Sequence, residues 1–277
     1  MSDAWKRPVS TQDAASRDVW RPAVYERFAA ERALPFHELL ALVTRSTFDR
    51  VVDLGCGTGE LTAVAVERLA PTRAVGIDSS PAMLERSAAH AGPSLRFELG
   101  DLSEWTANGD HDLVLANASL QWVPDHRGVL RRWVAGLAPG GQLAVQVPYN
   151  ADHPSHVHIR RTAELPRFVE ALGGEIPADP VAEHVLAPEA YAELLHDLGA
   201  VEQHVSMRVY PHLLESSSAV VDWTRGTSLT RFARRLDPAT FEDFAAAYRR
   251  SLLGELGDRS PYFYGFKRIL IWARFPG

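Results

Sequence analysis

Cysteine is almost absent from this chain: Cys56 is the only one in 277 residues. One thiol cannot close an intramolecular disulfide, so nothing calls for an oxidising compartment. Positive charge is also scarce. Lys and Arg number 29 against 35 Asp and Glu, a formal net charge of −6. That balance argues against a protein that neutralises phosphates along a nucleic acid. An anionic ligand must instead be met by a local basic cluster. No run approaches the roughly 18 apolar residues of a membrane-spanning helix. Met1 to Asp18 is polar and mixed in charge. It lacks the apolar stretch of a secretory signal, and it is expected to be poorly ordered. Apolar residues at 46% and charged residues at 23% exclude a disordered or collagen-like chain. A cytoplasmic globular protein is the expectation.

What is present is an alternation. Val51-Val52-Asp53-Leu54 is a short apolar run ending in Gly55-Cys56-Gly57-Thr58-Gly59, and Leu61, Val64, Ala65 and Leu69 then share one helical face. Ala74 to Ile77 is closed by Asp78, and Ser79-Ser80-Pro81 offers a hydroxyl cap with proline at the first helical position. Leu95 to Leu99 alternates and stops at Gly100-Asp101; Leu113 to Ala116 is a buried-type strand ending at Asn117. A helix through Val129, Leu130, Trp133, Val134 and Leu137 is predicted to end at Pro139-Gly140-Gly141, before a fifth strand from Leu143 to Val147. Strands alternating with helices predict right-handed crossovers and a parallel sheet. Beyond Pro148 the rhythm changes. Helices are predicted near 154–172, 188–198, 217–235 and 238–254, with strands at Gln203–Tyr210 and Arg268–Trp272. The chain divides into an N-terminal segment with a helical cap (1–47), a ligand-binding core (48–148) and a sheet-completing part with helical insertions (149–277).

The loop from Gly55 to Gly59 has the spacing G-x-G-x-G, not the G-x-G-x-x-G of a pyrophosphate-binding turn. Asp53 sets a carboxylate two residues before it, which suits a cationic ligand group better than a diphosphate. Asp78 ends the second strand, where it is placed to accept hydrogen bonds from ribose hydroxyls. Asp101 ends the third, on the same edge. Open α/β sheets bind ligands at that edge. Three ordered acids there fit a nucleoside bearing an amine and a sulfonium. Any one of them alone would serve equally well as a helix or turn cap.

The run V-V-D-L-G-C-G-T-G-E resembles the first motif of the class I S-adenosylmethionine-dependent methyltransferases. Gly76 to Met83, Asn117 to His126 and Leu143 to Pro148 are similar to the trans-aconitate 2-methyltransferase family in particular. Short matches in the same order follow at Tyr25–Phe28 with Glu31-Arg32, at Pro154–Val157 with Arg160, at Asp222-Trp223 and at Arg268–Arg274. The chain departs from the family at Thr230-Arg231, where the arginine is displaced by one position, and at Tyr149. The resemblance implies a Rossmann-like α/β fold: a mostly parallel seven-stranded sheet, its last strand antiparallel, with helical insertions forming a cap. It implies S-adenosyl-L-methionine as cofactor, held by Asp53, Gly55, Gly57, Asp78, Ser79, Asp101, Leu102 and Asn117. It implies a methyl ester formed on trans-aconitate or a similar small polycarboxylate, with Trp122, His156, Arg160 and Arg268 facing the substrate. Two alternatives stay open: another acid, phenol or polyketide as acceptor, or a cofactor-binding module without catalysis.

The remaining constellations are weaker. His153, His156 and His158 lie within six residues, yet no Cys or acid accompanies them at a zinc-ligand spacing; no metal site is expected. Cys56 sits inside the glycine loop, and no G-x-S-x-G elbow presents a serine. Arg225, Arg231, Arg234 and Arg235 form a basic run, most simply a solvated helix face. A polycarboxylate nevertheless needs cations, and arginine forks bind carboxylates two bonds at a time. Arg27, Arg32, Arg160, Arg231, Lys267 and Arg268 are all candidates. Neither a membrane nor a nucleic-acid partner is expected, and the sequence does not give an oligomeric state.

Overall fold

A computed structural model describes residues 29–44 and 47–277. Residues 1–18, the Tyr25–Phe28 match with Arg27, and the side chains of Glu31 and Arg32 lie outside the described residues. Seven strands form one sheet: β1 (Arg50–Leu54), β2 (Arg73–Asp78), β3 (Leu95–Leu99), β4 (His111–Asn117), β5 (Leu137–Pro148), β6 (Glu202–Leu214) and β7 (Tyr262–Arg274). Their spatial order is β3-β2-β1-β4-β5-β7-β6. The first five run parallel, and β7 lies antiparallel to both β5 and β6. Order reverses between β1 and β4, which opens a crevice at the carboxyl ends of these strands.

Helices α1 (Ala29–Ala41), α2 (Glu60–Leu69), α3 (Pro81–Ser87) and α4 (His126–Ala135) belong to this first part of the chain. The predicted cap at α3 is present: Ser80 accepts from the Met83 amide at 3.2 Å, with Pro81 at the first helical position. After β5 come α5 (Pro154–Ala163), α6 (Pro166–Ala171), α7 (Pro180–His184) and α8 (Pro188–Asp197). Between β6 and β7 lie α9 (Ala219–Arg225), α10 (Thr230–Ala233) and α11 (Pro238–Leu256).

Burial is continuous because β1 and β4 are covered on both faces, as parallel strands require: Val52, Leu54, Val114 and Ala116 pack into one apolar cluster, Val51, Leu113 and Leu115 into another. A third cluster fills the insertions, where Trp223, Phe232, Phe244 and Tyr248 meet Tyr264 and Phe266 of β7. It ties α9, α10 and α11 to the sheet beside the crevice.

Several boundaries differ from the sequence reading: the helices predicted near 154–172 and 217–235 each divide in two, and β6 and β7 run longer than predicted. The α4 helix stops at Ala135 and β5 already begins at Leu137, pairing with His111. The register shifts before Leu113 meets Gln142, so the Gly140-Gly141 pair is an irregularity inside the strand instead of a helix end. The α7 helix was not foreseen; five residues are too few to show a helical period.

Candidate functional site

The chain leaves β1 through three glycines with left-handed backbone: Gly55 at φ 83°, Gly57 at 57° and Gly59 at 80°. At Gly55 a Cβ would stand 2.2 Å from the Cβ of Ser119, so only glycine lets the loop close against the β4 end. At Gly57 the corresponding space is open. The amides of Gly55 and Cys56 donate to the carbonyl of Ile77 at 2.7 and 3.0 Å, and the Gly57 amide donates to Asp78 Oδ2 at 2.8 Å. Asp78 Oδ1 accepts from the Ser80 amide at 2.9 Å. Asp78 thus holds the glycine loop and the α3 entry in one arrangement.

A cavity of about 690 Å³ opens over this loop. Asp53, Gly55, Gly57, Asp78, Ser79, Leu102, Asn117 and Trp122 all border it, as do His156 and Arg268 from the later part of the chain. Two expected contacts do not. Asp101 is exposed, and its Oδ1 is taken by the amide and hydroxyl of Ser103 at 2.7 and 2.6 Å. Arg160 is exposed on α5, one turn beyond His156, and does not border the cavity.

Asp53 is only 3% exposed. Its Oδ2 accepts from the Thr62 hydroxyl at 2.6 Å, while its Oδ1 is buried without a partner. Burial raises this carboxyl to about 6; the Thr62 hydroxyl pulls it partly back, and the neighbouring Asp78 charge adds to the rise. A cation at Oδ1 would relieve that cost. Asn117 likewise keeps a buried side-chain oxygen without a donor. Burial, with Asp53 and Asp78 close by, pushes the Cys56 thiol far up, which makes it a poor nucleophile.

Across the cavity the chemistry inverts. From Ala33 to Trp122 the lining holds acids and no Lys or Arg; beyond Pro148 it holds Arg231, Arg234 and Arg268. Arg268 is 6% exposed, and its guanidinium carbon lies 4.4 Å above the Phe266 ring. Phe266 in turn packs against Trp223 at 5.6 Å, so an aromatic wall supports the cation. His156 Nδ1 donates to Asp179 Oδ2 at 2.9 Å, and Arg231 Nη2 lies 3.6 Å from the same oxygen. Burial pushes the Asp179 carboxyl up, but the hydrogen bond and charge of His156, with Arg231, outweigh it and bring it to about 2.

The basic run divides. Arg231 and Arg234 border the cavity, while Arg225 pairs with Glu242, and Arg235 with Glu175 at 3.1 Å. Lys267 pairs with Asp152 and does not border the cavity. Sequence reasoning missed Asp179 as a site residue because the short helix it opens was not foreseen; in the structure it also caps that helix, Oδ1 accepting from the Val181 amide at 3.1 Å. The three neighbouring histidines go separate ways. His153 meets Ser155, His156 meets Asp179, and His158 bridges Ser251 and Glu255. Among the described residues no group of His, Cys, Asp and Glu gathers as metal ligands.

A family model described as a methyltransferase domain matches residues 51–141. The trans-aconitate 2-methyltransferase of Deinococcus radiodurans is 43% identical over 260 residues, covering 93% of this chain and 98% of that protein. The chain belongs to the trans-aconitate 2-methyltransferase family. The enzyme of that name from Streptomyces avermitilis is 42% identical over 240 residues, 84% of this chain and 88% of that one. The present protein is therefore an S-adenosylmethionine-dependent methyltransferase. Among solved structures, the geranyl diphosphate C-methyltransferase of Streptomyces coelicolor, in complex with S-adenosyl-L-homocysteine, shares the fold at a TM-score of 0.53 and 14% identity, covering 99% of this chain and 88% of that one. The phosphoethanolamine N-methyltransferase 2 of Haemonchus contortus gives 0.55 and 14%, covering 98% of this chain and 61% of that one. The residues present fit the cofactor: Asp53 and Asn117 each keep a buried oxygen without a donor, which an amine could supply, and the space at Gly57 is open beside the backbone.

Proposed function

We propose that this methyltransferase forms a methyl ester on a carboxylate of trans-aconitate or a similar small polycarboxylate. One observation carries the reading: a protein of net charge −6 gathers three arginines, one of them 6% exposed, on the wall facing its acidic cofactor loop. Asp53, Asp78 and Asn117 would hold S-adenosylmethionine, with Ser79 and Leu102 beside them. When bound, that cofactor supplies an electrophilic methyl group.

The residues of the chain then have little chemistry to do. A carboxylate acceptor, with a reference pKa of about 4, is already ionised at pH 7, so no side chain must remove a proton. What remains is placement and exclusion of water. Trp122, 39% exposed at the cavity edge, is suited to the second task. Arg268 serves the first. A cation clamped on the reacting carboxylate would stabilise charge that the reaction removes, which favours the ground state. Cations on the other carboxylates orient the acceptor without that penalty.

The test is a methyl-transfer assay over a panel of small organic acids, with mass spectrometry of the products. A tricarboxylate should gain one methyl group that alkali removes. Transfer to none of the acids would overturn the acceptor reading. An alkali-stable methyl ether from a hydroxyl acceptor would select a second reading, in which His156, held by Asp179 at 2.9 Å, accepts the hydroxyl proton.

A further inference from the structure

His156 and Arg231 come from α5 and α10, far apart in the chain, yet both meet one oxygen, Asp179 Oδ2: His156 Nδ1 in a hydrogen bond at 2.9 Å and Arg231 Nη2 in an ion pair at 3.6 Å. Because Asp179 is ionised, it only accepts, so His156 must donate through Nδ1. That fixes the ring and leaves Nε2 as its remaining polar atom, a donor to a carboxylate when the ring is the imidazolium. Arg231 is fixed in a similar way. Its Nη1 donates to the Ser228 carbonyl at 2.9 Å, its guanidinium lies 5.0 Å from the Phe232 ring centroid, and its side chain is 13% exposed. Its Nε is buried with no hydrogen-bond partner. An arginine left with an unmet donor beside a cavity is half of a side-on fork, the arrangement that takes a carboxylate through two parallel bonds.

We infer that Arg231 and His156, anchored together on Asp179, form one carboxylate subsite, and that Arg268 belongs to a second. The inference rests on the polycarboxylate reading above and refines it. Arg268 stands on β7 over the ring of Phe266, which packs against Trp223, whereas Arg231 stands on α10 against Phe232. The acceptor half would then read two carboxylates at separate places. Asp179 is a positioning residue in this scheme: it orients two donors and touches neither cofactor nor reacting atoms. Its own charge keeps Arg231 and His156 in place while no acceptor is bound.

The test is a double-mutant cycle read by calorimetry, titrating trans-aconitate into protein saturated with S-adenosylhomocysteine. His156→Gln and Arg231→Lys should each weaken acceptor binding about ten-fold or more, the range for a hydrogen bond to a charged group. The double variant should be little worse than the weaker single one, because both changes empty the same subsite. Arg268→Gln combined with either should instead multiply the losses. Affinity for S-adenosylhomocysteine, unchanged in every variant, shows that the fold is intact. Multiplying losses for His156→Gln with Arg231→Lys, or full affinity in Arg231→Lys, would overturn the shared subsite while the acceptor reading stands. A wild-type protein that binds no tricarboxylate would overturn the acceptor reading and the subsite with it.

Discussion

From Asp53 to Trp122 the cavity wall is made by successive strand ends of one alternating βα unit, whereas His156, Asp179, Arg231 and Arg268 are delivered by α5, α7, α10 and β7. The first wall works through backbone turns and acids. The second works through arginines backed by aromatic rings. The difference follows from what each must recognise. An ammonium and ribose hydroxyls call for acceptors, and a strand-to-helix turn supplies them locally. Several carboxylates call for cations, which must be brought in from distant elements and kept apart from one another. The separation also keeps the arginines away from the acids of the glycine loop, which would otherwise neutralise them.

The largest expected effect comes from breaking the cationic wall alone. Arg268→Gln should raise KM for a tricarboxylate by roughly ten- to a hundred-fold, the range for a charged hydrogen bond, and raise it far less for a monocarboxylate analogue. Steady-state kinetics on the two acceptors checks this. Equal losses would mean that Arg268 is not a carboxylate clamp.

Asp53 offers the matching test on the acidic wall. Its carboxyl sits at about 6, above the ordinary 3.8, mainly through burial. A raised carboxyl contributes stability that is full below pH 3.8 and lost as the pH rises through about 6. Asp53→Asn should therefore stabilise the cofactor-free protein at pH 7 by about 1–3 kcal/mol, while weakening cofactor binding. In the wild type, cofactor affinity should increase with pH through about 6, and the variant should flatten that slope. Thermal melts and titrations across pH 5–8 read both outcomes.

How far each wall was legible in the sequence follows from the same contrast. The glycine loop, Asp53, Asp78 and the Ser80-Pro81 cap are short contiguous patterns at strand ends, the last enforced by a bond to a near neighbour, Met83 to Ser80. The arginine run was not resolvable. Arg225, Arg231, Arg234 and Arg235 look alike on a continuous helix, but the segment breaks at Gly226, and α10 restarts only at Thr230. That break turns Arg231 and Arg234 to the cavity and leaves Arg225 with Glu242. Asp179 was hidden because the five-residue helix it caps is too short to show a period in the sequence. Arg160 was misplaced because a match in sequence does not show where a helix leaves the cavity.

A smaller effect links the two walls. His126 hydrogen-bonds the Leu120 carbonyl at 2.9 Å beside Trp122, and His153 caps α5 ahead of His156. Burial lowers both imidazoles to about 4, against the opposing pull of nearby acceptors and acids. Folded-state values below the ordinary 6.5 mean stability that is full above pH 6.5 and lost as the pH falls toward 4. Tm should decline over that window, and His126→Asn should flatten part of the decline. A Tm that stays level from pH 6.5 to 4 would show that neither ring is held neutral.

The smallest effect is expected at Cys56. Cys56→Ser, and chelation of divalent metal, should each leave methyl transfer within about two-fold, since no thiolate is available and no metal-ligand group gathers among the described residues. A large loss in either assay would place a nucleophile or a metal in the acidic wall.

The division of the cavity is tested most directly at Asp78, which binds the glycine loop through Gly57 and the α3 entry through Ser80. Calorimetry on Asp78→Ala should show S-adenosylmethionine binding weakened by about 1.5–3 kcal/mol. At saturating S-adenosylhomocysteine, trans-aconitate should bind this variant as tightly as it binds the wild type. Unchanged cofactor affinity, or a parallel loss of acceptor affinity at full cofactor saturation, would contradict the two-wall account.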